Sequence, residues 1–262
     1  MSAPGPAGTG RVVLLGGDGE STRIVYHALA PRFPGLAVVL EPPVPRRQLL
    51  SRRVRKLGLA TVAGQLLFMA GVLPRLRRAG AARVDEICRA HGLDRAPVPE
   101  DRVHRVPSVN AGEAREALRR LEPAVVVVNG TRIIGRQTLR AVSAPFINLH
   151  AGITPLYRGV HGGWWALSEG RPELAGSTVH LVDEGVDTGT VLAQASFTAG
   201  PADSFATYPY LHLAVGIPPL ADAVAAALRG ELSPRPHPAL PSRLRTHPTL
   251  WQYARTRLRN VR

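Results

Sequence analysis

Short apolar runs alternate along the chain with longer segments in which apolar residues recur at helical spacing. Strands are predicted at residues 11–15, 36–40, 103–106, 124–128, 146–150, 178–182 and 190–194. Helices are predicted at residues 21–29, 85–91, 113–120 and 211–228, the last one broken at Pro218 and Pro219. Strands that alternate with helices predict an α/β fold with an open, mostly parallel sheet and helices on both faces. The all-apolar run AVVVV at 124–128 predicts a central strand covered on both sides.

Residues 46–78 interrupt this pattern with a basic helical insertion. Every charged side chain in the segment is basic, and an uncharged stretch from Leu57 to Leu73 lies between two clusters of arginine. Glycines dilute its hydrophobicity and both flanks are basic, which argues against a membrane span. Two interpretations stay open. The helices either touch an anionic membrane surface, or they pack on the domain with a solvated basic face.

The 262 residues and the 45% hydrophobic content are enough for one large domain with a short appendage. We expect a disordered start at 1–10, a domain at 11–230 with the insertion at 46–83, and a Pro- and Arg-rich tail at 231–262 that ends in a short helix near Trp251. No signal-peptide core opens the chain, and Cys88 is the single cysteine. A reducing, cytoplasmic setting fits these features. The net charge of +14 points to anionic partners, and all basic residues except Lys56 are arginine.

The segment from Asn148 to Gly189 carries the candidate chemistry. Residues two apart on a strand share a face, so Asn148 and His150 are expected together at a strand end, where open α/β sheets bind ligands. The Gly-rich loop VDEGVDTG can bring Asp187 to the imidazole. An amide donor for an oxyanion, a proton-transfer group and a carboxylate suit acyl transfer by direct attack of an amine.

Each residue also has a plain structural interpretation. His150 can cap a sheet end, Asp183 and Asp187 can form turns, and His180 can pack beneath the site. The spacing of a calcium loop is absent, and no metal site is predicted. The ordered combination of motifs favours the catalytic interpretation.

The motifs Asn148-X-His150, Pro155-X-Tyr-Arg-Gly159, Gly176-X-Thr-X-His180 and Val186-Asp-Thr-Gly189 resemble those of the folate-dependent formyltransferases over residues 121–195. That family includes glycinamide ribonucleotide transformylase, methionyl-tRNA formyltransferase and the sugar N-formyltransferases. The resemblance implies a Rossmann-like sheet and the catalytic residues Asn148, His150 and Asp187. It also implies that 10-formyltetrahydrofolate binds as the formyl donor. The folate contacts it implies are Thr131, Arg132, Ile133, Ile134, Asp183, Glu184, Gly185 and Val186. The acceptor contacts it implies are Gly17, Asp18, Tyr157, Arg158 and His180.

The chain departs from the family in several places. The loop after His150 reads Ala-Gly-Ile-Thr-Pro155, where the family often has Ser-Leu-Leu-Pro. In the purine enzyme the first Gly-rich turn binds a phosphate, whereas here Asp18 and Glu20 would repel one. The region after Pro201 is expected to be too short for the C-terminal β domain of the methionyl-tRNA enzyme. The basic insertion belongs to neither pattern.

We therefore expect an N-formyltransferase that moves a formyl group from 10-formyltetrahydrofolate to a small primary amine, with an amino sugar on a nucleotide as the first choice. Phosphoribosylglycinamide formyltransferase is the enzyme alternative. A non-catalytic RNA- or membrane-surface-binding protein on the same scaffold is the alternative of another class, although interleaved basic and aromatic residues typical of RNA binding are missing. The expected location is cytoplasmic, with the insertion at the inner membrane surface. The oligomeric state is open, a homodimer included.

Overall fold

A computed structural model describes residues 10–235 and 241–258. Apart from Gly10, the predicted disordered start lies outside this part of the chain. The strands are β1 Val12–Gly17, β2 Ala37–Glu41, β3 Val103–Arg105, β4 Val125–Asn129, β5 Phe146–His150, β6 Arg158–Gly159, β7 Gly176–Leu181, β8 Val191–Ser196 and β9 Leu244–Arg245. Seven of them form one sheet in the order β3-β2-β1-β4-β5-β7-β8. The strands from β3 to β5 in this order are parallel, and β7 and β8 are antiparallel to their neighbours.

Helices cover both faces of this sheet. They are α1 Glu20–Leu29, α2 Arg46–Leu57, α3 Leu59–Leu67, α4 Leu73–His91, α5 Gly112–Leu121, α6 Arg136–Leu139, α7 Gly162–Ser168, α8 Tyr208–Leu228 and α9 Leu250–Arg257. Alternate strand residues divide between two cores because successive side chains point to opposite faces. Leu14 belongs to the larger core, with α1, α4 and α8, while Leu15 belongs to the smaller core with α5. The predicted open, mostly parallel architecture is confirmed.

The apolar run AVVVV forms the centre of the sheet, as predicted. Strand β4 lies between β1 and β5, and Val125, Val126 and Val127 have no exposed surface. Burial on both faces explains why this strand has no polar alternation.

The insertion folds as α2, α3, a π-helical turn at Phe68–Val72, and α4. Phe68 is fully buried and contacts the rings of Phe205 and Tyr253. The continuous helical stretch Leu59–His91 is long and apolar enough to cross a membrane by length and composition, and so is α8. The apolar window of α8 is 56% buried, whereas that of Leu59–His91 is 22% buried. Helix α8 is thus a core helix, and the insertion lies near the surface.

Two expectations about the C-terminal region need correction. The helix predicted to break at Pro218 and Pro219 is continuous from Tyr208 to Leu228. Each proline removes one N–H donor, but burial of neighbouring residues such as Leu220 and Val224 against the sheet keeps the helix intact. Within residues 241–258, the tail is also more regular than predicted, since β9 pairs with β6. The expected short helix near Trp251 is present as α9, with a capping box at Thr249.

Candidate active site

Strand β5 presents two polar side chains at the end of the sheet. Ile147 and Leu149 point into the larger core, so Asn148 and His150 share the opposite face, as the strand parity predicts. His150 is 5% exposed. The strand thus places an amide and an imidazole side by side at the edge of the parallel part of the sheet.

The antiparallel neighbour β7 adds a second imidazole. Register pairs Asn148 with His180, and the Asn148 Nδ2 lies 3.1 Å from the His180 Nε2. The His180 Nδ1 lies 2.7 Å from the carbonyl oxygen of Leu181. Because a carbonyl only accepts, Nδ1 carries a proton, and Nε2 lies beside the Asn148 amide. The imidazole therefore orients the amide, with its N–H groups turned toward the site.

His150 has a defined partner at each ring nitrogen. Its Nε2 lies 2.7 Å from the carbonyl oxygen of Tyr157, and its Nδ1 lies 3.3 Å from the Oδ2 of Asp187. The carbonyl requires a proton on Nε2. In the neutral ring, the Nδ1 lone pair then faces the carboxylate, and a proton taken up there lies between the two groups.

Asp187 adopts a left-handed backbone conformation, with φ of 50°. Its Oδ2 accepts a hydrogen bond of 2.8 Å from the N–H of Gly159, and its Oδ1 lies 3.6 Å from the His180 Nε2. The guanidinium of Arg158 donates to the carbonyl of Val186 at 3.1 Å. These bonds fix the Gly-rich loop against β6 and hold the carboxylate beside both histidines.

Burial and charge set the protonation of this pair. Burial lowers the pKa of His150 below its ordinary value, although the charge of Asp187 opposes the shift. Burial alone would raise the pKa of Asp187, but the contacts with His180, His150 and the Gly159 N–H outweigh it and lower that pKa. At neutral pH the site therefore holds a neutral imidazole next to a carboxylate.

Gly152 makes the His150 contact possible. A Cβ atom at this position would overlap the carbonyl oxygen of Tyr157 and come within 2.7 Å of the His150 Nε2. The turn after β5 is further held by Thr178, whose hydroxyl donates to the Gly152 carbonyl at 2.7 Å. Gly152, which departs from the Ser-Leu-Leu-Pro pattern, therefore leaves room for the His150 side chain.

Residues of the loop 183–187 and of the segment 131–134 line the same site. Asp183 accepts from the Gly185 N–H at 2.9 Å and from the Thr188 hydroxyl at 2.7 Å, so its carboxylate builds the loop. Glu184 forms an ion pair of 2.6 Å with Arg136, on the far side of the site. Of the predicted folate contacts in this loop, Asp183, Gly185 and Val186 line the cavity described below.

Two side chains that sequence reasoning missed hold the segment 131–134. The buried carboxylate of Glu41 accepts from the backbone N–H groups of Arg132 at 2.6 Å and Val109 at 2.9 Å. Asn110 donates to the Ile133 carbonyl at 2.8 Å and accepts from the Gly135 N–H at 2.6 Å. An acidic residue directly after the apolar run of β2 was the available signal for Glu41, whereas no local pattern marked Asn110.

These elements enclose a cavity of about 570 Å³. Its polar side chains include Asn148, His150, His180, Asp183 and Asp187. Its apolar side chains include Val128, Ile133, Ile134, Val182, Val186 and Leu213. The candidate catalytic residues and all four predicted contacts at 131–134 therefore line one cavity.

Several predicted acceptor contacts lie elsewhere. Asp18 lines a separate cavity with Arg105, and Gly17 packs against the carbonyl of Gly130. The Tyr157 ring is fully buried, with its hydroxyl donating to Glu169 at 3.0 Å, so only its backbone carbonyl reaches the site. Arg158 braces the Gly-rich loop. Among the predicted acceptor contacts, only His180 lines the main cavity.

Comparison with known proteins matches part of the chain to a protein family. The sequence model of the family described as "Formyl transferase" matches residues 92–210. The part of the chain that holds Asn148, His150 and Asp187 therefore matches a formyl transferase domain. Methionyl-tRNA formyltransferase from Myxococcus xanthus is 36% identical over 47% of the chain and 40% of its own length. The same enzyme from Anaeromyxobacter dehalogenans is 32% identical over 65% of the chain and 59% of its own length. The chain thus spans about half the length of these relatives.

Solved structures share the fold of the formyl transferase domain. A sugar N-formyltransferase from a Shewanella species superposes with a TM-score of 0.54 and 14% identity, covering 90% of this chain and 76% of that one. Glycinamide ribonucleotide transformylase 1 from Symbiobacterium toebii superposes with a TM-score of 0.53 and 20% identity, covering 84% of this chain and 88% of that one. An N-formyltransferase from Helicobacter canadensis superposes with a TM-score of 0.53 and 13% identity, covering 88% of this chain and 69% of that one. That structure is a complex with folinic acid and dTDP-3-aminofucose. At these identities the likeness shows the fold alone.

Proposed function

We propose that the formyl transferase domain moves a formyl group from 10-formyltetrahydrofolate to a primary amine. The convergence of Asn148, His150 and Asp187 at one end of the cavity carries this proposal. The three side chains supply a hydrogen-bond donor, a neutral base and a carboxylate. The carboxylate of Asp187 contacts both the Asn148 amide and the His150 imidazole. Transfer of an acyl group to an amine needs these functions and no covalent intermediate on the protein.

The amide of Asn148 stabilises the oxyanion that forms when the amine attacks the formyl carbon. Its Nδ2 holds two hydrogens, one of which is engaged by His180. The other points toward Asp187 over a long contact of 3.5 Å. An oxyanion binds this N–H in place of that weak contact. The donor is already oriented in the resting site, so little reorganisation accompanies the reaction.

His150 accepts the proton that the amine loses, and Asp187 stabilises the imidazolium that results. Only Nδ1 is available for this, since Nε2–H is held by the carbonyl of Tyr157. The proton then passes to the folate nitrogen as its bond to the formyl carbon breaks. Donor and acceptor therefore exchange one formyl group and one proton, with His150 returning to its neutral form.

The cavity suits a flat heteroaromatic donor with polar edges. The segment 131–134 and the loop 183–187 both line the cavity, and both offer backbone groups as well as aliphatic side chains. Ile133 is 64% exposed although it lines the cavity, so a bound ring would cover apolar surface that now faces solvent. These residues fit a pterin group.

For the acceptor, our first candidate is an amino sugar carried on a nucleotide. A glycinamide ribonucleotide phosphate would have to bind beside Asp18 and Glu20 at the start of α1. Both carboxylates are present there, and Glu20 accepts a hydrogen bond of 2.7 Å from Tyr210. This negative charge, which Arg23 and Arg105 offset in part at Asp18, disfavours a phosphate at the helix start. The acidic turn therefore weighs against the purine-pathway reaction.

Methionyl-tRNA is the second candidate for the acceptor. The relatives with 32% to 36% identity bear that name, and the insertion displays arginine side chains that could contact phosphates. An RNA acceptor would make turnover steeply salt-dependent, whereas a nucleotide sugar would not. Salt dependence thus separates the two candidates.

The test is an acceptor screen. Purified protein is incubated with 10-formyltetrahydrofolate and, separately, amino-sugar nucleotides, glycinamide ribonucleotide or methionyl-tRNA. Release of tetrahydrofolate and the mass of the formylated product are measured, with His150→Ala as the inactive control. Folinic acid should also raise the melting temperature, because a ligand that binds the native state stabilises it. A folded protein that neither binds folinic acid nor formylates any amine would refute the proposal.

A further inference from the structure

Helix α3 exposes an apolar stripe to solvent. Leu59 is 73% exposed, Leu66 45% and Leu67 56%, and the exposed Ala63 lies between them. These positions follow the three- and four-residue spacing of one helical face. We call this surface the α3 face.

The opposite side of the same helix is also apolar and is already used for packing. Val62 and Gly64 are buried, and Phe68 at the end of α3 is covered by Phe205 and Tyr253. A surface helix of a globular protein ordinarily turns charged residues outward. Here the stretch from Leu57 to Leu73 has no charge at all. The α3 face is therefore an outward apolar surface on a helix that is anchored to the protein.

Exposed basic side chains precede and follow the α3 face in the sequence. Those before it are Arg47, Arg52, Arg55 and Lys56, and those after it are Arg75, Arg77 and Arg78. Within residues 10–235 and 241–258, none of these cations forms an ion pair with a carboxylate. Every charge from 46 to 78 is positive. No negative charge within residues 46–78 therefore offsets the positive charge of these side chains.

We propose that the α3 face docks the protein on an anionic lipid bilayer, with α3 lying in the plane of the interface. Aliphatic side chains would enter the boundary between headgroups and acyl chains, and the flanking arginines would meet acidic headgroups. This goes beyond the proposed formyl transfer and does not depend on it. The packing of Phe68 keeps α3 on the protein, so the helix lies on the membrane and does not cross it.

The charge pattern and the apolar stripe together favour lipid over other partners. A nucleic acid would engage the arginines but would leave the leucines of the α3 face uncovered. An acidic protein or a second copy of the chain would need no bilayer. A surface with anionic headgroups above an apolar layer matches both features at once.

Trp251 provides a built-in reporter of this docking. Its ring lies against Gly64 of α3, where a Cβ atom would overlap it, and the side chain is 51% exposed. The other two tryptophans, Trp164 and Trp165, are buried. A change in the surroundings of Trp251 on docking should therefore dominate any blue shift of the emission.

The experiment measures binding of the full chain to vesicles of phosphatidylcholine alone or mixed with phosphatidylglycerol. We expect binding to the anionic vesicles only, with a blue shift that disappears in Trp251→Phe. Leu59→Ser/Leu67→Ser should weaken binding at least about tenfold. Arg77→Gln/Arg78→Gln should also weaken it about tenfold or more, and added salt should weaken the wild type. The control Arg119→Gln/Arg120→Gln removes the same charge from exposed positions on α5, on the other face of the sheet, and should bind normally.

Four results would overturn the proposal. These are equal binding to neutral and anionic vesicles, unchanged binding of the leucine variant, no vesicle binding alongside arginine-dependent binding of an RNA duplex, and a dimer that the leucine variant converts to monomer. Each variant is checked by circular dichroism. Formyl transfer in solution is measured in parallel, so failure of docking and failure of the proposed activity are separate outcomes.

Discussion

The Nε2 of His150 lies 2.7 Å from the backbone carbonyl oxygen of Tyr157. This contact assigns the proton of the neutral imidazole to Nε2 and leaves Nδ1 as the atom that can accept one. A backbone acceptor cannot be lost by a side-chain substitution at residue 157. The chain therefore fixes the tautomer of its candidate base through the turn after β5.

Substitutions in the candidate catalytic group should reduce turnover while leaving the fold intact. Asn148→Ala removes the oxyanion donor and should cost on the order of a hundredfold or more in kcat. His150→Ala removes the proton acceptor and should cost roughly 10²–10⁴-fold. Asp187→Asn should cost a comparable factor. Steady-state kinetics with the acceptor identified by the screen measure these changes.

The double variant His150→Ala/Asp187→Asn tests whether the two side chains act together. Because the carboxylate serves the imidazole, the double change should cost much less than the product of the single changes. His104→Ala, at an exposed position on β3, is the matched control and should keep normal turnover. A folded His150→Ala protein with near-normal kcat would contradict the mechanism.

The pH dependence of kcat/KM should report the lowered pKa of His150. Activity should persist below pH 6.5 and fall as the pH drops through that pKa, because only the neutral ring accepts a proton. The negative charge of Asp187 raises the pKa of His150. Asp187→Asn removes this charge and should therefore move the acidic limb of the pH profile to still lower pH. An acidic limb that stays in place or moves upward in this variant would show that another group titrates.

Glu41→Gln should weaken folate binding through the segment 131–134. The glutamine oxygen can replace only one of the two carboxylate oxygens, so one buried N–H, of Arg132 or Val109, loses its acceptor. We expect the Kd for folinic acid, measured by calorimetry, to rise roughly tenfold, since such a loss costs about 1–3 kcal/mol. Glu113→Gln on the exposed side of α5 is the control. A lower melting temperature with an unchanged Kd would restrict Glu41 to a structural role.

The buried His212 should make folding stability depend on pH. Its Nε2 accepts from the Gly163 N–H at 3.2 Å and its Nδ1 lies 3.1 Å from the Ser177 hydroxyl, so the ring is held neutral. Burial lowers the pKa of His212 to about 3. Between that pH and about 6.5, the unfolded chain binds the extra proton, so the free energy of unfolding falls as the pH falls.

His212→Gln should therefore flatten this dependence. Each such histidine contributes a slope of up to about 1.4 kcal/mol per pH unit. Urea unfolding at pH 7.5 and pH 5 should show a smaller stability difference in the variant than in the wild type. The variant is also expected to be less stable at pH 7.5, because a well-packed ring is lost. An equal or larger difference between the two pH values would contradict the assignment.

Strand periodicity was sufficient to predict the sheet and the shared face of Asn148 and His150. Both features follow from the alternation of side chains, which is local in sequence. The position of His180 opposite Asn148 depends on the register between β5 and β7, which a single strand does not specify. The sequence therefore suggested His180 as a neighbour of the site but could not define its contact.

Features set by long-range backbone contacts were not predictable in this way. The partner of His150 is the carbonyl of Tyr157, and every residue has a carbonyl. Glu41 is separated by ninety-one positions from Arg132, whose N–H it accepts. Tyr157 was predicted to contact the acceptor, yet its ring packs inward beside Glu169 because the turn directs only its backbone to the site.

The pairing of Asn148 with His180 also makes the site sensitive to the number of residues in the strands, as well as to residue type. A shift of β7 by one residue would carry His180 to the other face of the sheet, although no residue type would have changed. The connection between the two strands can vary in length, as surface segments do. A single insertion or deletion inside either strand, however, would dismantle the site as effectively as removing the histidine. Chain length within β5 and β7 is therefore as much a part of this site as the side chains they bear.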